Sequence, residues 1–167
     1  MKKCWILIAA VLLLAGCSAQ GELETLTDVY GEQTLLPAKQ IVLELPNEVA
    51  VPAMQSEETG TLYLCDDYTV IVQTTEAGDL QATLKEATGF AKEQLALIET
   101  VRSGLACYEC AWSAAGETEQ QVGRAMVLDD GSYHYVVTVM ADASRAGALQ
   151  TTWQDLFDSM RLTGTAP

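Results

Sequence analysis

The residues most suggestive of chemistry are two cysteines spaced as in redox proteins, in the run Cys107-Tyr108-Glu109-Cys110. Such a pair acts in redox chemistry when its first cysteine lies at a helix N-terminus, where the dipole lowers the thiol pKa. Residues 105–112 (LACYECAW) instead predict a strand, in which positions three apart are about 10 Å apart and point to opposite faces. A disulfide needs Cα atoms within about 7 Å. The pair is therefore predicted not to close on itself, which disfavours a thiol-dependent redox enzyme using Cys107 and Cys110.

A third cysteine, Cys65, leaves two possibilities open. It lies on another predicted strand, so a bridge to Cys107 or Cys110 would close a loop of roughly 40 residues and contribute about 4 kcal/mol. In the alternative, all three thiols are reduced and buried, where free cysteines behave as small hydrophobic side chains. We favour the reduced state.

The single histidine, His134, excludes multi-histidine metal sites. A Cys–His nucleophile pair would need it beside Cys110. The strand of residues 124–128 is expected to separate the strands that carry these two residues, and two strand spacings of about 4.8 Å exceed hydrogen-bond reach. The same spacing disfavours a zinc site made of three cysteines and the histidine. We therefore expect His134 to be a partly exposed residue of the sheet.

Three acidic pairs, Glu57-Glu58, Asp66-Asp67 and Asp129-Asp130, are possible cation ligands. None has the alternating spacing with which a loop wraps one calcium ion. All three fall at predicted turns, where aspartate and solvated charge are common. The sequence also lacks a phosphate-binding glycine loop, a nucleophile elbow and an H-E-x-x-H motif. We therefore expect no metal, no cofactor and no catalytic residue.

Aromatic residues give the chain its only candidates for a binding surface. Most fit a core position on a strand or a helix, but tyrosine and tryptophan are also the usual anchors of protein interfaces. We favour the core position for each residue, and lining an exposed groove of the sheet is the alternative. The set comprises Tyr63, Tyr68, Tyr108, Trp112, Tyr133, Tyr135 and Trp153.

Net charge narrows the possible partners of the 167-residue chain. It carries 23 acidic and 9 basic residues, a formal net charge of −14. Removing Lys2 and Lys3 with a signal segment leaves 7 basic residues against 23 acidic ones, a net charge of −16. Such a chain repels both nucleic acid and anionic lipid.

The first residues predict export and lipid attachment. Met1-Lys2-Lys3 is basic, and Trp5 to Leu14 is an apolar run too short to span a hydrocarbon core of about 30 Å. Leu14-Ala15-Gly16-Cys17 then resembles a bacterial lipobox, in which cleavage between Gly16 and Cys17 leaves a lipidated cysteine. In the alternative, Cys17 follows an ordinary signal peptide. The expected divisions are a signal peptide at 1–16, a lipidated tether at 17–38 and one domain at 39–163, anchored on the extracytoplasmic face of a bacterial envelope.

Hydrophobic periodicity predicts the elements of that domain. Strands are expected at 40–45, 49–54, 61–65 and 68–75, with a hairpin turn at Asp66-Asp67. Asp79 is a suitable N-cap for a helix of about twenty residues, along which Leu80, Leu84, Ala87, Ala91, Leu95 and Ile98 form one stripe. Further strands are expected at 105–112, 124–128 and 133–140, the last two joined by a turn at 129–132.

A closing helix at 148–160 places Leu149, Trp153, Leu156, Phe157 and Met160 on one side. Hairpins imply antiparallel pairing, and amphipathic helices must cover the resulting sheet. The predicted class is α+β, with an antiparallel sheet of about five to six strands and two main amphipathic helices.

At this level the chain resembles the Mog1/PsbP-like superfamily, which includes small bacterial lipoproteins. The resemblance covers about residues 40–162 and lies in apolar and aromatic patterns, not in catalytic signatures. It is carried by IVLELP (41–46), VIVQTT (70–75), the helix from Asp79, CAWS (110–113), MVLDDGSYHYVVTVMA (126–141) and WQDLFDSMRL (153–162). It implies an α/β sandwich and an accessory or binding role without family catalytic residues.

These observations together predict a membrane-anchored lipoprotein whose domain binds a protein partner or an envelope component without catalysis. A small-ligand or cation-binding lipoprotein is one alternative, and a thiol enzyme using Cys107 and Cys110 is the other. Membrane contact through the lipid on Cys17 and an unidentified protein partner are the expected interactions, and nucleic acid is excluded.

Overall fold

The computed structural model describes residues 36–45, 52–56, 60–116 and 119–164. Within these residues the chain forms nine strands, seven of which make one antiparallel sheet in the order β2-β3-β4-β8-β7-β6-β5. β1 and β9 pair separately in a small antiparallel sheet. The strands are β1 (Gln40–Val42), β2 (Met54–Ser56), β3 (Gly60–Leu64), β4 (Thr69–Glu76), β5 (Ala96–Arg102), β6 (Leu105–Ala115), β7 (Gln120–Asp129), β8 (Tyr133–Asp142) and β9 (Arg161–Thr163).

Two α-helices, α1 (Leu80–Thr88) and α2 (Ala146–Ser159), pack against opposite faces of the seven-stranded sheet. Side chains alternate along β8, because successive residues of a strand point to opposite faces. Tyr135 and Val137 pack with α2, whereas Val136 packs with α1. We call these the α2 face and the α1 face. The α+β class of an antiparallel sheet with two amphipathic helices is confirmed.

The hairpin turns lie where the sequence predicts them. Asp66 and Asp67 connect β3 to β4, and residues 130–132 connect β7 to β8. Asp130 stabilises the second turn, since its Oδ1 accepts hydrogen bonds from the backbone N–H groups of Ser132 and Tyr133 at 3.0 and 2.9 Å. An aspartate that bonds its own turn in this way is a common turn-forming device.

The helix predicted from Asp79 begins as expected, but its predicted length is wrong. Oδ1 of Asp79 accepts from the N–H of Gln81 at 3.0 Å, and the helix ends at Thr88. Gly89 follows in the left-handed region at φ 79°, a usual helix terminator. A short 3-10 turn at Lys92–Gln94 then leads into β5, whose first residues, Ala96 to Ile98, form the end of the predicted helical stripe.

The closing helix is confirmed, and its five predicted core residues are all buried: Leu149, Trp153, Leu156, Phe157 and Met160. The stretch predicted as a strand at 40–45 is extended only at Gln40–Val42 in β1, which pairs with the unpredicted strand β9. Of the strand predicted at 49–54, residues 49–51 lie outside the described residues and Met54 begins β2.

The signal peptide, Gly16, Cys17 and residues 17–35 of the tether also lie outside the described residues. In the part of the chain that the structure describes, no helix has both the length and the apolar character needed to cross a membrane.

Candidate binding groove

The two cysteines of the C-x-x-C motif lie on opposite faces of β6, as their spacing in a strand predicts. Cys107 packs into the core of the α2 face and Cys110 into the core of the α1 face. Both thiols are free. Burial raises the pKa of Cys107, and it raises the pKa of Cys110 to about 11. Catalytic thiols need the opposite shift and an accessible sulfur.

Cys65 is also free, and it is half-buried rather than fully buried as expected. It follows β3 and lies beside Tyr68, the residue that precedes β4. Burial raises the pKa of the Cys65 thiol, and burial together with this thiol raises the pKa of Tyr68. The three described cysteines form no disulfide with one another, and their side chains pack as small apolar groups.

The prediction that His134 is partly exposed is wrong, because α1 covers it. The side chain is 1% exposed, and its Nδ1 lies 2.7 Å from Oγ1 of Thr83 on α1. On its other side, Nε2 lies 3.7 Å from Oδ2 of Asp129, the residue paired with His134 across the β7–β8 hairpin. Alternation along the strand shows only that His134 and Tyr135 occupy opposite faces. Which face a helix covers depends on residues far away in sequence.

The strand order expected around His134 is confirmed. β7 lies between β6 and β8, so Cys110 and His134 are two strands apart. His134 therefore lies with a threonine and an aspartate instead of with a cysteine.

Each described acidic pair has a local role. Asp129 Oδ1 accepts from the N–H of Gly131 at 2.7 Å, and Asp130 Oδ2 lies 3.2 Å from Nζ of Lys39. Asp67 pairs with Arg145 at 3.6 Å. Glu57 and Glu58 lie outside the described residues. No group of three potential metal-ligating side chains occurs among the described histidine, cysteine and acidic residues.

The aromatic residues divide into buried and partly buried members. Tyr68, Tyr135 and Trp153 are buried. The hydroxyl of Tyr135 donates to Oδ2 of Asp130 at 3.0 Å and accepts from the N–H of Lys39 at 3.0 Å, so it has a structural role. The others are partly buried around the two cores: Tyr63, Tyr108, Trp112 and Tyr133.

Trp153 on α2 and Trp112 on β6 both border one open groove of about 820 Å³, although the Trp112 ring itself packs on the α1 face of the sheet. The groove lies between α2 and the strands β6 and β7. Its strand side is formed by Ala111, Trp112, Val122, Gly123 and Arg124, and its helix side by Ala146, Gly147, Gln150, Thr151, Trp153, Gln154 and Asp155. We call it the α2 groove.

A glycine determines how Trp112 lies against β7, on the α1 face of the sheet. Gly123 is the cross-strand partner of Trp112, and a Cβ at Gly123 would overlap the Trp112 indole ring. The ring therefore lies directly on the backbone of β7. Glycine in the interior of a strand often marks such a close approach.

Polar groups of the groove differ in how fully they are bonded. Arg124 is held by Glu109 at 3.4 Å and stacks over Phe157, with 5.2 Å from its guanidinium carbon to the ring centroid. Nε1 of Trp153 is buried and has no hydrogen-bond partner within the described ranges. Buried donors are nearly always bonded in folded proteins, so this N–H is an exception, and its burial closes it to an acceptor outside the chain.

Comparison with known proteins finds similar structures but no similar sequence. No family model matches the chain, and no curated protein matches its sequence. LpqN, involved in cell envelope biogenesis of Mycobacterium tuberculosis, has a matching structure with a TM-score of 0.53 and 13% identity, covering 77% of this chain and 86% of LpqN. Cyanobacterial PsbP from Synechocystis matches with a TM-score of 0.52 and 10% identity, covering 80% of this chain and 97% of that one.

The Ran-binding protein Mog1p of Saccharomyces cerevisiae also matches, with a TM-score of 0.50 and 13% identity over 76% of this chain and 96% of that protein. The chain has the Mog1/PsbP-like fold. Identities of 10–13% establish this fold alone, so the function has to be argued from the chain's own residues.

Proposed function

We propose that this protein is a lipid-anchored, extracytoplasmic lipoprotein whose Mog1/PsbP-like domain binds a protein partner of the cell envelope without catalysing a reaction. The observation that carries the binding role is the α2 groove, which combines an apolar floor with a polar rim. The anchoring role rests on the sequence from Met1 to Cys17.

The groove has the composition of a protein interface. Such interfaces have an aromatic-rich, apolar centre surrounded by polar residues that stay partly hydrated. Ala111 and Val122, together with the largely buried Trp153, form the apolar centre, and the exposed Gln150 and Gln154 supply part of the rim.

The buried thiols argue against the redox alternative. A thiol enzyme needs an accessible thiolate, whereas Cys107 and Cys110 are 1% and 3% exposed and their pKa values are raised by burial. The similar structures are consistent with a binding role, since Mog1p is a Ran-binding protein and LpqN is involved in cell envelope biogenesis.

The test is chemical cross-linking in cells, followed by purification of the lipidated protein and mass spectrometry. Gly147→Trp places a bulky side chain at the groove, because nothing lies within 4 Å of a Cβ at Gly147. Gly78→Trp is the matched control, since Gly78 has equally open space but does not line the groove. We expect one partner in near-equal amount with the wild type and with Gly78→Trp, and its loss with Gly147→Trp. Absence of any enriched partner, or equal recovery with both variants, contradicts the proposal.

The groove volume supports a second candidate function, the binding of a small apolar ligand. A volume of about 820 Å³ falls within the range of about 300–1,000 Å³ that is typical of small-molecule sites. Native mass spectrometry of protein purified from its own cells distinguishes this candidate. A retained small molecule that is lost with Gly147→Trp supports ligand binding. If the protein retains no small molecule, and the same cells yield no cross-linked partner, both functions are excluded.

A further inference from the structure

The two edge strands of the seven-stranded sheet differ in how well they can pair with an additional strand. β2 forms one edge with three residues, whereas β5 forms the other with seven. Five of the seven β5 residues are exposed, and Ile98 and Val101 are 63% and 77% exposed. Natural sheets usually shorten, charge or interrupt their edges to prevent pairing. β5 has no proline and only two charged residues, Glu99 and Arg102.

The hairpin that follows β5 fixes which backbone groups face outward. Ser103 and Gly104 have φ values of 52° and 81°, as in a two-residue type I′ turn between the paired residues Arg102 and Leu105. The turn closes with hydrogen bonds between these two residues, and the bonded pairs alternate from there along the strands. The backbone groups of Leu97, Glu99 and Val101 therefore point away from β6.

The side chains of these same three residues share one face of the sheet. Leu97 packs with the α1-face core, and Glu99 and Val101 follow at intervals of two. An added antiparallel strand would bond to all three residues and place its own alternate side chains directly opposite them. The most favourable residue opposite Glu99 is basic, and those opposite Leu97 and Val101 are apolar.

We propose that the β5 edge binds an extended segment of a protein partner, with a basic residue opposite Glu99 and an apolar residue two positions to either side. This inference rests on the proposed function, because it specifies a surface and a sequence pattern for the protein partner. The excess of 23 acidic over 9 basic residues in the whole chain favours a basic segment in the same sense.

A second copy of this chain fits the edge less well. Two β5 strands that pair about a twofold axis bring residues of the same face together. The register that places Leu97 opposite Val101 of the other copy also places Glu99 opposite Glu99. Like charges directly opposite each other destabilise a strand pair, and two chains of net charge −14 add general repulsion.

The test uses the full-length chain in detergent micelles and the peptide acetyl-Thr-Val-Thr-Lys-Thr-Val-Thr-amide. A control peptide has glutamate in place of lysine. Amide shifts in nuclear magnetic resonance spectra should concentrate at Leu97, Glu99 and Val101, and the lysine peptide should bind about two- to tenfold more tightly. For Glu99→Lys, the preference between the two peptides should reverse.

Backbone pairing is tested separately. Val101→Pro removes one outward N–H, and Val101→Thr is the control that keeps it. The proline variant should bind the lysine peptide several-fold more weakly, while the threonine variant binds it as the wild type does. Equal binding by the two variants, an unchanged peptide preference in Glu99→Lys, or a concentration-dependent dimer through β5 would overturn the proposal. If cross-linking in cells recovers a partner while these tests fail, the proposed function remains and only the β5 edge is excluded.

Discussion

A buried imidazole joins helix α1 to the sheet and is the most informative single residue of the domain. His134 contacts Thr83 across 51 positions of sequence, so this hydrogen bond holds together two elements that the chain does not connect locally. The line of hydroxyl, imidazole and carboxylate formed with Asp129 superficially resembles a catalytic arrangement. Thr83 is only 7% exposed, however, so a substrate has little access to its hydroxyl. The hydroxyl therefore has a structural role, as the hydrogen-bond partner of His134.

Thr83→Val should lower the free energy of unfolding by about 1–3 kcal/mol, because it leaves a buried ring nitrogen of His134 without its partner. Urea denaturation measures this change. Thr83→Ser keeps the hydroxyl and should recover most of the stability. If Thr83→Val and Thr83→Ser lower the free energy of unfolding equally, the hydrogen bond to His134 contributes nothing to stability.

Asp130 should make stability depend on pH in the acid range. Burial alone would raise its pKa, but hydrogen bonds from the N–H groups of Tyr133 and Ser132, together with Lys39 and Tyr135, outweigh burial and lower the pKa below 3.8. A lowered pKa in the folded state stabilises the protein above the unfolded-state pKa, and this contribution is lost as the pH falls through the folded-state value. Stability should therefore fall below about pH 4, with a shallower decrease in Asp130→Asn.

Urea denaturation between about pH 3 and pH 7 measures this effect, with Asp67→Asn as the control. Asp67 forms an ion pair with Arg145 whose side chains are 46% and 61% exposed, and such a pair is largely screened by solvent. Parallel pH profiles for wild type and Asp130→Asn would show that the turn carboxylate has no special role.

The end of helix α1 shows which features of an element local sequence determines and which it does not. The residues from Leu80 to Ile98 fit one helical stripe, yet the helix ends at Thr88 and β5 begins at Ala96. Gly89, placed within the predicted stripe, is the terminator. The β-branched residues Ile98, Thr100 and Val101 favour a strand, and pairing with β6 decides the outcome.

Gly89→Ala should lower the free energy of unfolding by about 1 kcal/mol, because an alanine resists the left-handed conformation at φ 79°. Nothing lies within 4 Å of a Cβ at this position, so conformational strain is the only cost. Gly78→Ala is the control, since Gly78 has the same open space and is not among the glycines with positive φ. Thermal or urea unfolding compares the stabilities of the two variants. Equal losses of stability in Gly89→Ala and Gly78→Ala would contradict the assigned role of Gly89.

The hairpins and the closing helix were predictable because their signals are local. Turn residues at 129–132 and the apolar spacing from Leu149 to Met160 specify structure within a few residues. The α2 groove was not predictable, since it arises where α2 passes β6 and β7, elements far apart in sequence. The exposed edge of β5 was missed for a different reason, because the start of its sequence also fits a helical pattern.

At the scale of the whole molecule, the proposed anchor and the acidic domain are complementary in function. A chain with net charge −14 is repelled by anionic membrane surfaces, so membrane association of this chain would need a covalent lipid. In the proposed function, the anchor would keep the α2 groove at high local concentration near envelope partners.

Cys17→Ser should abolish both membrane fractionation and the lipid mass, because the thioether has no thiol on which to form. Intact mass spectrometry and membrane fractionation check the two outcomes, and Cys65→Ser is a control that alters a cysteine of the folded domain. A Cys17→Ser chain that still fractionates with membranes and carries no lipid would show that the lipobox interpretation is wrong.

The most direct measurement of the central claim is site-specific photo-cross-linking in living cells from two matched positions. Gln150 lines the α2 groove. Gln81 is also an exposed glutamine, but it lies on α1 and does not line the groove. A photoreactive residue at Gln150 should capture one protein in near-equal amount, whereas the same residue at Gln81 should not. Capture from Gln81 alone, or from neither position, would contradict a binding role for the α2 groove.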